Sequence, residues 1–187
     1  MVSKMRVASL VFALPALLMV GQTAPAQAVF TDSILGFKYT PPKGLKDTTA
    51  SNKEWIEQRA KALNTTQILN LLLALQADVK DTHPDWCSVA IETYPRQRFE
   101  GGERDPMLNM ARWVAGSGTE DGDPTESLIG PFQFRVFPFR LQEGPLTKHA
   151  RIYTIILKGQ VVAVAFTANS TGVLTRIEAS IKTFRPN

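Results

Sequence analysis

Cysteine and histidine are the residue types in this sequence best suited to nucleophilic catalysis. The 187-residue chain has one cysteine, Cys87, and two histidines, His83 and His149. Either histidine could act as the base that a cysteine nucleophile needs. However, Cys87 follows Trp86 in a segment rich in β-forming residues, and a small buried apolar side chain is the commoner role of a free cysteine. We therefore predict no catalytic residues.

Metal ligands are also present, but their spacing is poor. A zinc site could draw on His83, Asp85, Cys87 and His149. The sequence has no cysteine pair and no closely spaced histidine pair, which zinc sites normally use. A second group offers oxygen ligands that calcium accepts: Glu120, Asp121, Asp123 and Glu126. This group lacks the twelve-residue pattern of an EF-hand, and we interpret it as a solvated loop. No glycine-rich phosphate loop is present. We predict no metal site and no cofactor.

Three arginines in one loop are more suggestive of binding. Arg96, Arg98 and Arg104 lie on either side of Gly101-Gly102. The planar guanidinium group forms paired hydrogen bonds with carboxylates, and loops on rigid scaffolds often carry binding residues. We predict that these arginines contact a partner, with a solvated loop as the alternative.

The N-terminus has the pattern of a secretory signal peptide. Lys4 and Arg6 precede an apolar run at 7–20, and the small-residue sequence Ala26-Gln27-Ala28 follows. This order predicts a signal peptide at 1–28, cleaved after Ala28. The apolar run is shorter than the roughly 20 residues that span a membrane, so we expect no stable membrane anchor after cleavage. The destination is the periplasm or the medium.

Residues 29–187 suit one domain. Removal of Lys4 and Arg6 lowers the formal net charge from +4 to +2. A charge this small gives little reason to expect nucleic acid as a partner. We predict a single domain that does not bind nucleic acid.

Three helices are predicted from capping signals and apolar periodicity. Ser51 and Glu54 have the spacing of a capping box, which predicts a helix at 52–63. Asp105-Pro106 has the form of an N-cap followed by a first-turn proline, which predicts a helix to about Ala115. With Ser170 as its cap, a third helix is expected at 171–184, and one stripe of it is apolar: Leu174, Ile177, Ile181 and Phe184.

Strands are predicted in the remaining segments. Residues 29–39 suggest a short strand pair, and 86–94 form a β-rich run. A strand beginning at Phe132 continues to a bulge or edge at Pro138. Residues 151–157 and 160–168 are two further strands joined by a tight turn at Lys158-Gly159. The second of these is apolar at both parities, which predicts a central strand covered on both faces.

Residues 68–77 allow two interpretations. Leucine, alanine and glutamine favour a helix by intrinsic propensity. The leucines at 69, 71, 73 and 75 share one parity, which favours a strand. We predict a strand that pairs with 86–94 as a hairpin. The whole chain is then expected to be an α+β domain.

Three segments of the sequence are informative about its family: Leu35-Gly36-Phe37-Lys38-Tyr39-Thr40-Pro41-Pro42, Val161-Val162-Ala163-Val164-Ala165-Phe166-Thr167-Ala168, and the closing segment 177–184. Through these segments the chain resembles the PsbP-like superfamily, which includes the photosystem lumenal subunit, Mog-type Ran-binding factors and exported bacterial proteins. This resemblance implies an antiparallel β-sheet flanked by helices, an α/β/α sandwich. Family members with understood roles bind other proteins, and no contact residue of theirs is transferred to this sequence.

The function expected from the sequence is non-catalytic. We predict an exported protein of the cell envelope that binds another protein or assists a complex. The alternative is an exported hydrolase whose site is assembled only in space.

Overall fold

The computed structural model describes residues 28–62, 70–99 and 105–187. The predicted signal peptide lies outside this range except for Ala28, so cleavage after Ala28 stays a prediction. The described strands are β1 (Phe30–Asp32), β2 (Phe37–Tyr39), β3 (Leu45–Asp47), β4 (Asn70–Ala77), β5 (Cys87–Pro95), β6 (Thr119–Glu120), β7 (Thr125–Ile129), β8 (Phe132–Glu143), β9 (Leu146–Leu157), β10 (Gln160–Ala168) and β11 (Arg185–Pro186). The α-helices are α1 (Thr49–Ala62), α2 (Pro106–Ala115) and α3 (Thr171–Glu178), with 3-10 helices at Arg96–Phe99 and Ala179–Thr183.

The strands form two antiparallel sheets. The larger sheet has the order β3-β4-β5-β10-β9-β8-β6, and β7 also pairs with β8. The smaller sheet has the order β1-β2-β11, so it joins the predicted N-terminal strand pair to the C-terminal segment. Helix α2 packs on one face of the large sheet and α3 on the other. The predicted α+β class, with a sheet flanked by helices, is confirmed.

Strand β10 is the centre of both cores, as predicted. It pairs with β5 on one side and with β9 on the other. Its even-numbered residues face the core that contains α3: Val162, Val164, Phe166 and Ala168. Its odd-numbered residues face the core that contains α2: Val161, Ala163 and Ala165. The run of apolar residues at both parities is thus explained by burial on both faces.

The smaller sheet closes the α3 core. Phe184 stacks on Phe37 with ring centroids 4.5 Å apart. The Tyr39 hydroxyl lies 2.7 Å from Ser180 Oγ, and Thr183 Oγ1 accepts a 2.9 Å hydrogen bond from Thr40 N. The C-terminal segment therefore fixes the position of the N-terminal strands.

Strand β4 settles the ambiguous leucine-rich segment. Residues 70–77 form a strand paired with β5, as predicted, whereas positions 68 and 69 lie outside the described residues. The register shifts between Leu71 and Leu73, which pair with Glu92 and Ile91 respectively. This bulge places Leu71 on the α2 face, so the predicted common face of the leucines holds only from Leu73 onward.

The predicted capping box at Ser51 is wrong. Helix α1 begins at Thr49, and Ser51 Oγ donates to the Thr48 carbonyl oxygen at 3.0 Å, inside the first turn. Asp47, just before the helix, instead accepts from Thr49 N at 2.8 Å. The helix start is therefore fixed by Asp47, two residues before Thr49, and not by Ser51.

The predicted caps of the other two helices are confirmed. Asp105 Oδ1 accepts hydrogen bonds from Met107 N and Leu108 N at 3.1 and 3.2 Å. Ser170 Oγ accepts from Val173 N at 3.4 Å. The third helix was predicted to continue to 184, but the α-helix ends at Glu178 and a 3-10 helix follows. Its predicted apolar stripe is buried throughout.

Two details of the β8 edge refine the prediction. Pro138 lies inside the continuous strand β8 and not at its end. The carbonyl oxygen of Pro138 accepts a hydrogen bond from Asp121 N, on the side of β8 that faces away from β9. The nitrogen of a strand residue points to the same side as its carbonyl oxygen, so the Pro138 nitrogen also faces away from β9 and no N–H is missing from the pairing with that strand. Glu120, predicted to be in a loop, pairs with Phe139 as part of the short strand β6.

Among the described residues, none of the helices is both long enough and apolar enough to cross a membrane.

Candidate functional site

A cavity lies at the end of the large sheet where the β1–β2 turn meets the start of β4, the end of β5 and the start of β10. Its volume is about 300 Å³. The described residues that line it are Asp32, Ile34, Leu35, Asn70, Leu72, Thr93, Pro95 and Gln160. We call it the end cavity. Its walls come from four segments distant in sequence, so only the folded chain forms it.

The β1–β2 turn forms the outer wall of the end cavity. Asp32 Oδ1 accepts a hydrogen bond from Leu35 N at 2.8 Å, and the Asp32 carbonyl oxygen accepts from Gly36 N at 2.9 Å. Gly36 has a φ of +80°, which a side chain would strain. As a result Leu35 is buried in the α3 core, while the Ile34 side chain is 80% exposed.

A lysine on the neighbouring β9–β10 turn holds this wall in place. Lys158 Nζ donates to the Ile34 carbonyl oxygen at 2.6 Å. Lys158 and Gly159 both have positive φ, at 48° and 77°, as a two-residue type I′ hairpin turn requires. The predicted tight turn is confirmed, and it supplies a cation beside the exposed Ile34.

The inner wall contains a buried hydroxyl group. Thr93 is 3% exposed, and its Oγ1 has no hydrogen-bond partner among the described residues. On the sheet, Thr93 lies between Asn70 of β4 and Val162 of β10. A buried hydroxyl without a partner is uncommon in folded proteins.

The three predicted partner-contact arginines can be placed only in part. Arg96 is exposed and begins the 3-10 helix after Pro95, which lines the end cavity. Its backbone N donates to the Gly159 carbonyl oxygen at 3.0 Å, so it lies beside the β9–β10 turn. Arg104 and the side chain of Arg98 lie outside the described residues. The contact role of all three stays a prediction.

Cys87 and the two histidines are not assembled as a catalytic group. Cys87 is buried, and burial raises the pKa of its thiol, which disfavours the reactive thiolate. Cys87 and His149 both pair with Ala168, from opposite sides of β10, so their backbones are about 10 Å apart, two strand spacings. His83 is in a loop, where its Nδ1 accepts from Asp85 N at 3.1 Å.

The acidic run is engaged in ion pairs and hydrogen bonds. Glu120 Oε1 lies 2.8 Å from Arg112 Nε, and Asp121 Oδ1 lies 2.7 Å from Arg140 Nη2. Glu126 accepts from Gln133 at 2.8 Å. In the described parts of the chain, no three His, Cys, Asp or Glu side chains are grouped to hold a metal ion.

Glu92 is an ionisable residue that no sequence pattern indicated. Glu92 lies on the α2 face of the sheet between Leu71 of β4 and Ala163 of β10. Burial raises the pKa of its carboxyl group to about 7. Alternation along β5 places residue 92 on the face of the sheet opposite to Val89 and Ile91. Only the structure shows that this second face also packs against a helix, α2.

Comparison with known proteins supports the fold. No protein-family model and no curated protein matches the sequence. The solution structure of cyanobacterial PsbP (CyanoP) from Synechocystis sp. PCC 6803 is similar, with a TM-score of 0.53 and 12% sequence identity. The match covers 91% of this chain and 99% of that chain. The chain therefore has the PsbP-like fold.

A second structure aligns less well. The crystal structure of LpqN, a protein involved in cell envelope biogenesis of Mycobacterium tuberculosis, gives a TM-score of 0.38 at 13% identity. That match covers 63% of this chain and 79% of LpqN.

Proposed function

We propose that this chain is an exported, non-catalytic accessory protein of the cell envelope, and that it binds another protein through the surface around Ile34. The observation that supports this proposal most directly is the exposure of Ile34 on a fixed turn at the mouth of the end cavity. Export is inferred from the signal-like sequence at 1–28.

Ile34 has the properties of an anchor for a partner. Complete burial of an isoleucine side chain stabilises a complex by about 1.5–3 kcal/mol. The turn that carries it is held by Asp32 and by Lys158, so little conformational entropy is lost on binding. The ammonium group of Lys158 lies at this turn, 2.6 Å from the Ile34 carbonyl oxygen, and favours a partner with acidic residues beside its apolar contact.

Site-specific photocrosslinking in the native host tests this surface. A photoreactive benzophenone amino acid replaces Ile34 in one version of the full-length chain and Leu128 in another. Leu128 is a suitable control because it is also apolar and is 75% exposed, but lies on β7. We expect one defined protein adduct from position 34 and none from position 128. Equal adduct patterns at both positions, or no adduct at position 34, would contradict the proposal.

Substitution measures the contribution of the anchor. Ile34→Asp should weaken capture of the crosslinked partner by about 10- to 100-fold, because the buried isoleucine contact is lost and a charge is introduced. Leu128→Asp should leave capture unchanged. If both variants capture the partner equally well, Ile34 is not part of the interface.

The hydrolase alternative has a separate test. The purified chain is incubated with model esters and peptides, and turnover is compared with that of the Cys87→Ala variant. Turnover by the wild-type chain would favour the alternative, and its loss in the variant would assign the nucleophile. Export is tested by fractionating host cells and sequencing the N-terminus of the exported protein, which we expect to be Val29.

A further inference from the structure

We propose that the outer face of the smaller sheet binds an acidic segment of the protein that docks at Ile34. Lys38 and Arg185 lie on this face, which we call the basic face. This contact rests on the proposed function, because it belongs to the same partner. Three observations support it: a pair of like charges, the lack of a counter-ion among the described residues, and the position of the pair beside the Ile34 turn.

The smaller sheet places two cations directly opposite each other. Arg185 of β11 pairs with Lys38 of β2, and Thr31 of β1 pairs with Lys38 on its other side. The residues before and after Lys38, Phe37 and Tyr39, are buried in the α3 core, so alternation places Lys38 on the outer face. Directly opposite residues have Cβ atoms about 4.5–5.5 Å apart, and like charges at such positions destabilise a sheet. The free chain therefore carries a repulsion that a neutral pair would avoid.

The acidic side chains of the described residues do not neutralise this pair. Within residues 28–62, 70–99 and 105–187, neither Lys38 nor Arg185 forms an ion pair. Asp32 is the acidic residue of the smaller sheet, but it pairs with Phe37 and so lies on the opposite face. Its Oδ1 also accepts from Leu35 N. A carboxylate of a partner would therefore meet two cations here and relieve the repulsion between them.

The basic face adjoins the turn that carries Ile34. Lys38 follows Gly36, the last residue of this turn, by two positions, which is about 7 Å in a strand. Asn187 N donates to the Gly36 carbonyl oxygen at 3.0 Å, so the chain after Arg185 also lies against the turn. An extended partner segment of about four residues is long enough to reach from Ile34 to the basic pair. One partner can therefore occupy both surfaces.

The size of the basic face limits its ligand to a short segment. Strand β2 has three residues and β11 has two. The Arg185 guanidinium group can form paired hydrogen bonds with one carboxylate, and the Lys38 ammonium group adds a point charge. Lys158 Nζ supplies a further cation at the turn, 2.6 Å from the Ile34 carbonyl oxygen. A short run of aspartate or glutamate residues is therefore the best complement.

A matched pair of peptides tests the basic face without the native partner. The full-length chain is titrated at low salt with acetylated, amidated tetraglutamate and with its tetraglutamine counterpart, and binding is followed by two-dimensional NMR. We expect the amide signals of Thr31, Lys38 and Arg185 to shift with the glutamate peptide only, and the shifts to disappear at about 0.5 M salt. Equal shifts with both peptides, or no glutamate-specific shifts at these three positions, would overturn the proposal.

Charge removal assigns the binding to this pair. The double variant Lys38→Gln, Arg185→Gln should bind tetraglutamate about tenfold more weakly, the product of two exposed charge contacts of about threefold each. It should also unfold at a higher urea concentration, because the repulsion between opposite cations is removed. The control Lys53→Gln, Lys80→Gln removes the same charge from exposed sites elsewhere and should weaken binding by less than about twofold. Equal weakening in both double variants, or a lower urea midpoint in the first, would overturn the proposal.

Crosslinking at Ile34 separates this proposal from the proposed function. Where position 34 captures a partner, the adduct should fall about tenfold in the variant Lys38→Glu, Arg185→Glu and persist in the variant Lys53→Glu, Lys80→Glu. An unchanged adduct in the first variant would overturn the acidic contact while the contact at Ile34 stands. If position 34 gives no adduct, the proposed function fails, and the peptide titration alone decides whether the basic face accepts an acidic segment.

Discussion

Glu92 should make the stability of this protein depend on pH. Glu92 pairs with Leu71 of β4 and Ala163 of β10 in the sheet, and burial raises the pKa of its carboxyl group from the model-compound value of 4.5 to about 7. One pKa unit corresponds to 1.36 kcal/mol of differential stabilisation. A shift of this size therefore corresponds to about 3 kcal/mol, which is a large part of the stability of a typical domain.

The sign follows from which state binds the proton more tightly. The folded state holds the Glu92 proton up to about pH 7, whereas the unfolded chain releases it near pH 4.5. Between these values the unfolded state gains the free energy of ionisation and the folded state does not. The effect of Glu92 on the free energy of unfolding is thus most favourable below pH 4.5. It becomes less favourable as the pH rises to 7, and it is constant above that.

Glu92→Gln removes the ionisable group and keeps the shape. We expect the variant to resemble wild type at pH 4 and to exceed its free energy of unfolding by up to about 3 kcal/mol at pH 8. Urea unfolding between pH 4 and pH 8 measures the difference. Glu57→Gln, on the exposed side of α1, is the matched control and should give a flat difference. A Glu92 titration midpoint below pH 5 in NMR, or a pH-independent effect of Glu92→Gln, would refute the reasoning.

Two further substitutions test the elements that position the site and the cores. Asp105→Ala should lower the free energy of unfolding by about 1–2 kcal/mol in chemical denaturation, because it removes the α2 cap and the ion pair with Arg135. Asp105→Asn keeps the cap and should recover most of this loss. An equal loss in both variants would assign the effect to the ion pair. Phe184→Ala should lower the free energy of unfolding by about 3–5 kcal/mol, because Phe184 is 1% exposed and stacks on Phe37. Phe184→Leu should lower it clearly less. A decrease below about 1 kcal/mol for the alanine variant would show that the smaller sheet contributes little to stability.

Several elements were predictable because their signals are local. The apolar run of β10 extends over both parities, and burial on two faces is the usual reason for such a run in a strand. Asp105-Pro106 contains both parts of a helix start in adjacent residues. Lys158-Gly159 lies between two β-rich runs at the length of a tight hairpin. In each case a few neighbouring residues contain all the information.

The features that the sequence did not predict depend on competing cap residues or on contacts between distant segments. Ser51 has the right spacing for a cap, but Asp47 and Thr49 form a helix start earlier in the chain. The bulge between Leu71 and Leu73 is set by pairing with β5 and leaves no mark in the leucine alternation.

The end cavity could not be predicted from the sequence for a similar reason. It brings Leu35 beside Thr93 and Gln160, which are far apart in the chain. Periodicity describes one element at a time and does not specify which elements meet at the end of a sheet. Arginine-rich loops are visible in a sequence, whereas an exposed isoleucine in a turn becomes informative only when its surroundings are known.

The pairing of β11 with β2 has a consequence for the order of folding. Thr40 and Thr183 are 143 positions apart, yet they hydrogen-bond each other beside this pairing. A hairpin of three-residue strands is not stable in isolation, so β1 and β2 gain their support only after the last strand has docked. Contacts of such long range slow folding, and the Ile34 turn, although made first on the ribosome, should be among the last parts to become ordered. In a nascent chain the β1–β2 hairpin therefore stays without its main support until the final residues have been made.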